Sequence, residues 1–287
     1  MEEFAVFGNP VVHSKSPLIH KLFAEQTGIK YDYGKVLVPL NKFEEKLDDF
    51  FCRGGKGANI TLPFKELAYH KVDELTEQAR ICRSINTIKR LDDYRLLGDN
   101  TDGIGLVLDL ERLRFIEKAM HILVIGAGGA ARGVIAPILN YGCRITITNR
   151  TFSKADKLAK QFSAIGHINS LMLESIHFAE YDLVINATSS GVAGDVPAIS
   201  SNIFKQNVFC YDMFYRLNET PFLTLAKTHG VLKYADGIGM LVGQAAFAFK
   251  LWHGKLPDIS SVLQRLKENA DINYVGILYG KNNNDIR

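Results

Sequence analysis

Apolar residues arrive in short runs bounded by glycine, proline and asparagine, and elsewhere recur at helical spacing. Phe4-Ala5-Val6-Phe7 reads as a strand that ends at Gly8-Asn9-Pro10. Ser16 then offers an N-cap with Pro17 at the first helical position, opening a helix to about Thr27 that Gly28 stops. Tyr33 to Val38 predicts a second strand. Phe43, Leu47, Phe50 and Phe51 mark one helical face ahead of Gly54-Gly55, and Ala58 to Leu62 is a short strand broken by Pro63. The stretch from Lys65 to about Arg83 reads as a helix, and Ile85 to Leu97 as a hairpin.

The texture changes near Asp102. A helix from about Gly103 to Leu113 precedes His121-Ile122-Leu123-Val124-Ile125, an apolar strand that runs straight into Gly126-Ala127-Gly128-Gly129-Ala130-Ala131. An amphipathic helix follows to Tyr141, Gly142 closes it, and Arg144 to Asn149 is the next strand. Such a βαβ unit of about thirty residues is what a dinucleotide fingerprint requires. Asp182 to Asn186 and Val208 to Tyr211 are further buried strands of a parallel sheet. Helices around Leu241 to Trp252 and Ile259 to Asn269 come last. In the tail 271–287, Tyr274 to Tyr279 is strand-like and apolar; capping the first domain, pairing with a partner chain and disorder all stay open for it.

Composition narrows the class. The 287 residues suit two domains, and 47% hydrophobic residues against 23% charged give enough apolar surface for real cores. Lys and Arg number 34 against 31 acids, a net charge of +3 with the basic residues scattered. That leaves no field suited to nucleic acid and points to small ligands. Cys52, Cys82, Cys143 and Cys210 are too far apart for a CxxC pair, so reduced and mostly buried thiols are expected. The start MEEFAVFGNP has neither a basic region nor a long apolar one, and no apolar run reaches the ~20 residues of a membrane span; a cytoplasmic location is expected. The 8 histidines form no HExxH or related spacing, so no metal is expected. Trp252, Phe247 and Phe249 read as helix packing. Heptads are absent, leaving a monomer or a homodimer.

The glycine turn has a physical purpose. A tight turn without side chains lets backbone N–H groups reach a pyrophosphate at the positive end of a helix. Gly126 and Gly128 stand between strand and helix, with Ala131 in the third position, where Ala is allowed. An NAD site usually places Asp or Glu about 20 residues after the first glycine, to take the ribose 2′-hydroxyl. This chain has Asn149-Arg150-Thr151 there, with Lys154 just beyond. Arg150 offers a planar fork and Lys154 a point charge to a 2′-phosphate, so NADP(H) is the expected cofactor.

Four short polar motifs mark the first hundred residues: Ser14-Lys15-Ser16-Pro17, Asn59 to Lys65, Ser84 to Thr87, and Asn100-Thr101-Asp102-Gly103. Each has an ordinary reading. Ser16 and Asp102 would cap helices, Lys65 would be a solvated lysine and Asn86 a turn residue. Together they list hydroxyls, amides, one ammonium and one carboxylate, a set suited to a small polyhydroxylated substrate.

From Ala5 to about Leu266 the chain resembles the shikimate dehydrogenase family of the aromatic amino-acid pathway. The resemblance is carried by G-N-P-V-x-H-S-K-S-P, N-I-T-x-P-F-K, N-T-D-G, G-A-G-G-A-A-R, N-R-T, N-A-T-S-S-G, Y-D-M-x-Y and D-G-x-G-M-L-x-x-Q, in that order. It implies an α/β chain of two domains with a cleft between them. An N-terminal α/β substrate domain, 1–101, would be completed by helices in 237–287; a Rossmann-type NADP-binding domain with a parallel sheet would span 102–236. It implies Lys65 and Asp102 as the catalytic pair. Ser14, Ser16 and Tyr215 would bind the substrate carboxylate, and Asn59, Thr61, Asn86 and Gln244 the ring hydroxyls. The cofactor would meet Gly126, Ala127, Gly128, Gly129, Ala130, Asn149, Arg150, Thr151, Lys154, Thr188, Met213 and Gly237, with Glu77 as a further neighbour. Lys154 departs from the family, which often has a second arginine there.

The implied activity is reversible NADPH-dependent reduction of 3-dehydroshikimate to shikimate. Lys65 is the candidate acid, because a cation beside the oxygen also stabilises the developing alkoxide, and Asp102 would orient the reacting hydroxyl. Other readings are a quinate/shikimate dehydrogenase of relaxed specificity or NAD preference, and a non-catalytic NADPH-binding regulator. Arg150 without a nearby carboxylate speaks against NAD. The retained Lys65 and Asp102 speak against a regulator, and a plain sugar-acid binder would not need the Gly126 turn.

Overall fold

The computed structural model describes residues 3–178, 180–205, 207–216 and 218–268. Asn269 and the strand-like segment 274–279 lie outside them. Contacts divide the chain into two units. The first takes the chain up to Leu108 with Arg132–Ala136 and Met240–Arg265; the second takes Asp109–Ala131, Pro137–Gly239 and the end of the described chain from Leu266.

The first unit opens with β1 (Phe4–Gly8), α1 (Ser16–Thr27), β2 (Tyr33–Leu37), α2 (Phe43–Cys52) and β3 (Gly57–Ile60). It continues through α3 (Lys65–Lys71), β4 (Glu74–Leu75), α4 (Glu77–Cys82), β5 (Thr87–Arg90) and β6 (Leu96–Asp99). Its sheet has the order β2-β1-β3-β5-β6-β4. β1 runs parallel to β2 and β3, while β5 and β6 form the antiparallel hairpin expected from sequence. One core gathers Phe7, Leu47, Ala58, Phe64 and Ile88 on one face. Each fully buried Phe or Ile there is worth about 1.5–3 kcal/mol.

Two expectations need correction. The stretch from Lys65 to Arg83 is not one helix. Val72 is extended, Glu74–Leu75 pair with β6, and a second helix starts at Glu77 under the cap of Thr76, whose hydroxyl accepts from Ala79 N. Asp73 accepts Leu96 N at 2.7 Å, so long-range pairing overrides the local helical pattern. Ser16 is not the N-cap of α1. Lys15 holds that place with helical backbone and no side-chain cap, and Ser16 is buried as the first helical residue.

The second unit begins within α5 (Asp102–Leu113) and continues with β7 (His121–Ile125), α6 (Gly129–Asn140), β8 (Arg144–Thr148), α7 (Phe152–Phe162) and β9 (Ile168–Ser170). Then come β10 (Leu183–Asn186), α8 (Ser190–Ala193), β11 (Phe209–Asp212), α9 (Pro221–Thr228) and β12 (Lys233–Asp236). The six strands are parallel in the order β12-β11-β10-β7-β8-β9. Numbered within this unit, that is the doubly wound 3-2-1-4-5-6 arrangement of dinucleotide-binding folds. β9 and β12, short and at the two edges, escape the sequence reading. The chain closes with α10 (Ile238–His253) and α11 (Ile259–Glu268).

α10 and α11 complete the first unit. Trp252 packs on Phe4 with ring centroids 4.8 Å apart and donates from Nε1 to Ile88 O, while Phe249 meets Phe23. These aromatics are core, as read from the sequence. The cysteines are all free thiols; Cys82, Cys143 and Cys210 are buried and Cys52 is exposed. Burial pushes Cys82 up to about 12 and Cys143 up to about 11. No helix among the described residues is long and apolar enough to cross a membrane.

The same core buries His20 completely, its ring stacked on Tyr33 at 4.1 Å and its Nδ1 2.8 Å from Tyr31 Oη. Desolvation, reinforced by nearby His253, lowers its pKa from 6.5 to about 3. The unfolded chain therefore takes a proton that the folded one refuses, so this contribution is present above pH 6.5 and is lost as pH falls toward 3. Urea midpoints followed by the emission of Trp252, the only tryptophan, are expected to fall between pH 7 and pH 4. His20→Phe should flatten that fall relative to the parent; an identical slope in both proteins would sink the assignment.

Candidate functional site

Topology gathers the first unit's four polar motifs at one end of its sheet. β1 and β3 end there, leading into Ser14–Ser16 and Thr61; antiparallel β5 starts there, just after Asn86; β6 ends there, just before Asn100–Asp102. Asn9 N bonds Leu62 O at 2.9 Å, tying the first two loops together. Thr76 donates to Asp99 at this end, which also brings Glu77, exposed at the start of α4, to it.

Lys65 opens α3. A cation at a helix N-terminus is locally unfavourable. The compensation is Asp102, whose Oδ2 lies 2.5 Å from Lys65 Nζ, with side chains only 11% and 5% exposed. Asp102 starts α5, the favourable end for a carboxylate, and its N–H donates to Asn100 Oδ1. Its Oδ1 accepts from Asn86 Nδ2 at 2.8 Å. The same Asn86 nitrogen lies 3.0 Å from Thr101 Oγ1 and 3.1 Å from Gln244 Oε1. Two amide hydrogens cannot serve three acceptors at once, so this nitrogen has a choice of partners. A buried ion pair is weak evidence for stability by itself. Its place among amides and hydroxyls points to chemistry.

Gln244 reaches the cluster because α10 crosses α5 at Gly105, where a Cβ would stand 2.6 Å from Gln244 N. Only glycine allows that approach. Ser14 and Ser16 pair with each other, Oγ to Oγ at 3.2 Å. The Thr61 hydroxyl has no partner among the described residues. Asn59 differs from these. Its amide donates to Asn86 O and Thr87 Oγ1 and its oxygen accepts from Tyr33 at 2.7 Å, so it also braces Asn86. Tyr33 is the neighbour that sequence reasoning missed, being read only as part of a strand; Thr87 and Thr101 lie inside the quoted motifs but were given no role of their own. Tyr215 belongs to the second unit, on the segment after β11.

In the second unit all strands are parallel, so the segments after β7, β8, β10, β11 and β12 share the sheet's carboxyl edge, where ligands bind in such folds. Those segments carry Gly126–Ala130, Asn149–Thr151, Thr188, Met213 and Gly237; Lys154 follows on α7. Gly126 has φ +117°, and a Cβ there would stand 2.9 Å from the Ala187 carbonyl. Gly128 caps α6, and a Cβ on it would meet nothing within 4 Å. The first turn of α6 carries no acid. Open space before a helix N-terminus without a competing carboxylate fits a pyrophosphate. Ala127 is buried, and Ala131 packs fully inside. Asn149 ties its loop by donating to Thr151 O, whereas Arg150 and Lys154 are exposed without an acidic partner among the described residues. Both cations are available to a 2′-phosphate.

Two carboxylates at this edge stand inside motifs quoted above but were given no role from the sequence. Asp212 is fully buried, and desolvation pushes it up to about 6 although Thr220, Phe214 N and Asn186 donate to it. Asp236, its register partner on β12, is pushed up to about 7 by burial, with Asp109 and Asp212 adding to the rise. Among the described residues no group of three or more His, Cys, Asp or Glu is placed to hold a metal.

Comparison with known proteins gives three family matches. Residues 6–88 match the shikimate dehydrogenase substrate binding domain, 111–193 shikimate / quinate 5-dehydrogenase, and 237–267 the shikimate 5′-dehydrogenase C-terminal domain. Among solved structures the chain is similar to an Ael1 enzyme from Pseudomonas putida, at 37% identity and TM-score 0.84 over 92% of this chain and 98% of that one. It is similar to the shikimate dehydrogenase of Aquifex aeolicus at 30% identity and TM-score 0.83, over 92% and 97%. The shikimate 5-dehydrogenase of Thermus thermophilus, solved with NADP(H) and shikimate, matches at 34% identity and TM-score 0.81, over 92% and 98%.

Proposed function

The chain belongs to the shikimate dehydrogenase family of oxidoreductases, and from that premise we propose that it catalyses the reversible NADPH-dependent reduction of 3-dehydroshikimate to shikimate. The observation that carries this reading is the buried Lys65–Asp102 pair inside the Asn86–Gln244 cluster. The Thermus relative, solved with NADP(H) and shikimate, supports the same two ligands here.

When bound, the nicotinamide supplies the hydride that reduces the carbonyl carbon. The carbonyl oxygen then needs a proton and a positive neighbour. Lys65 Nζ offers both, since an ammonium holds three hydrogens and only one is engaged by Asp102. Asp102 aims the ammonium through Oδ2 and is itself fixed by Asn86. Asn59, Thr61, Asn86 and Gln244 hold the ring hydroxyls, Asn59 also bracing Asn86. Ser14 and Ser16 would take the substrate carboxylate, a role in which the family resemblance also puts Tyr215.

The residues of the second unit suit the other ligand. Backbone from Gly126 through Ala127, Gly128 and Gly129 to Ala130 would hold the pyrophosphate, and Asn149 to Lys154 the adenosine end. Thr188, Met213 and Gly237 would complete the site, with Glu77 as an outlying neighbour. Arg150 and Lys154 favour NADP over NAD. Arg150→Ala is expected to weaken NADPH by about 10-fold and spare NADH. An unchanged ratio of the two affinities would overturn the 2′-phosphate assignment.

Nicotinamide absorbance, followed with shikimate or quinate against NADP⁺ or NAD⁺, tests the whole reading. Shikimate with NADP⁺ is expected to give the highest kcat/KM. Quinate is the necessary control, because the matched family description covers both acids. No turnover with either acid would refute the proposal.

A further inference from the structure

A fully buried carboxylate is costly unless several donors surround it. Asp212 ends β11, its side chain wholly inside, and three donors converge on it: Asn186 Nδ2 at 3.0 Å and Phe214 N at 3.1 Å on Oδ1, and Thr220 Oγ1 at 2.6 Å on Oδ2. Asn186 ends the neighbouring strand β10, in register with Asp212. With its amide nitrogen held by Asp212, the oxygen of Asn186 is turned the other way. It accepts from Thr188 N at 3.1 Å and Thr188 Oγ1 at 2.7 Å. The Asn186 carbonyl accepts Met213 N at 2.9 Å. β10 also sits beside β7, and these are the two strands between which the order reverses, the switch point where dinucleotides bind.

We infer that Asp212 is a positioning residue for the dinucleotide, acting through Asn186 and the Phe214 backbone to fix Thr188 and Met213. The inference rests on the cofactor site proposed above. Asp212, wholly buried, acts through these neighbours rather than by contact. It sets which way the Asn186 amide faces, and Asn186 in turn holds the Thr188 N–H and, together with Ser190 Oγ at 2.7 Å, the Thr188 hydroxyl. Thr220, the cap of α9, anchors the other carboxylate oxygen, so the carboxylate cannot swing away.

The role makes the two obvious substitutions behave differently. In Asp212→Asn the oxygen can keep Asn186 and Phe214 while the new amide donates to Thr220 Oγ1, so the geometry survives without the charge. In Asp212→Ala three donors, two of them on fully buried side chains, lose their acceptor, which is worth roughly 10-fold or more in any property they support. Asn186→Ala cuts the link to Thr188 while leaving Asp212 two of its donors.

The test is NADPH titration by nicotinamide fluorescence on the full chain, with steady-state KM for shikimate and thermal melts alongside. Asp212→Ala and Asn186→Ala are each expected to raise the NADPH Kd about 10-fold, with the shikimate KM shifted less than about 2-fold. Asp212→Asn should stay within about 3-fold of the parent, and the double alanine variant should lose little more than the worse single one, as members of one chain do. An unchanged Kd in Asp212→Ala overturns the inference. So does a parallel rise in the shikimate KM, or an Asp212→Asn as impaired as the alanine. If Asp212→Ala fails to fold, Asn186→Ala alone carries the same test. A parent protein that binds no NADPH would instead overturn the cofactor site itself, a distinguishable failure.

Discussion

Lys65→Ala is expected to lower kcat by about 10²-fold or more while the shikimate KM moves far less. The ammonium acts on charge that develops only as the carbonyl is reduced, so its loss falls on the transition state rather than on ground-state binding. Asn86 Nδ2, 2.8 Å from Asp102 Oδ1 in the parent, remains as a donor to the carboxylate in the variant. Losing the ion pair exposes a second effect. Asp102, 5% exposed, becomes a buried charge without its cation, so some thermal stability should also go. Lys65→Met keeps the packing of the stem and separates the two effects. A variant that lost substrate affinity in step with turnover, or kept its turnover, would remove Lys65 from the chemistry.

Gly126→Ala is the second large effect. At φ +117° the backbone lies where L-residues are strained by about 1–3 kcal/mol, and the added methyl would stand 2.9 Å from the Ala187 carbonyl carbon and oxygen. Either the turn opens or β10 gives way at its carboxyl end, next to Thr188. The expected result is a melting temperature lower by a few degrees and an NADPH Kd raised at least about 10-fold. Gly128→Ala makes the informative partner. A Cβ there meets no protein atom within 4 Å, so the fold should keep its melting temperature while binding is lost to the methyl itself. Equal destabilisation in both variants, or normal binding in both, would contradict a pyrophosphate at this turn.

The two units were unequally legible in the sequence. The βαβ of the second unit announces itself because a buried parallel strand is apolar throughout and the glycines that follow have a chemical reason to be there. β9 and β12 carry no such signature, since short edge strands are written by their partners rather than by their own pattern. In the first unit the broken helix between Lys65 and Arg83 was hidden because every residue there tolerates a helix; the break comes from Leu96 N bonding Asp73, a contact 23 residues away. Ser14, Lys65, Asn86 and Asp102 could be picked out because several polar motifs had no periodic role. What could not be read was who holds whom. Asn59, read in the sequence as a ligand of the ring hydroxyls, also holds Tyr33, Asn86 and Thr87. Asp212 and Asn186 become neighbours only through strand register.

The return of α10 and α11 to the first unit has a consequence for the order in which a ribosome can release a finished protein. All six strands of the second unit lie before Gly239, so its sheet has what it needs to form soon after that residue emerges. The first unit does not. Asn86 waits for Gln244 across 158 residues, Ile88 for Trp252 across 164, and Gln26 for Ser261 across 235. Closing loops of that length costs entropy before any contact repays it. The portion made first is thus completed last. Until then Phe4 and Phe23 lack Trp252 and Phe249, leaving apolar surface that the growing chain must keep from other molecules.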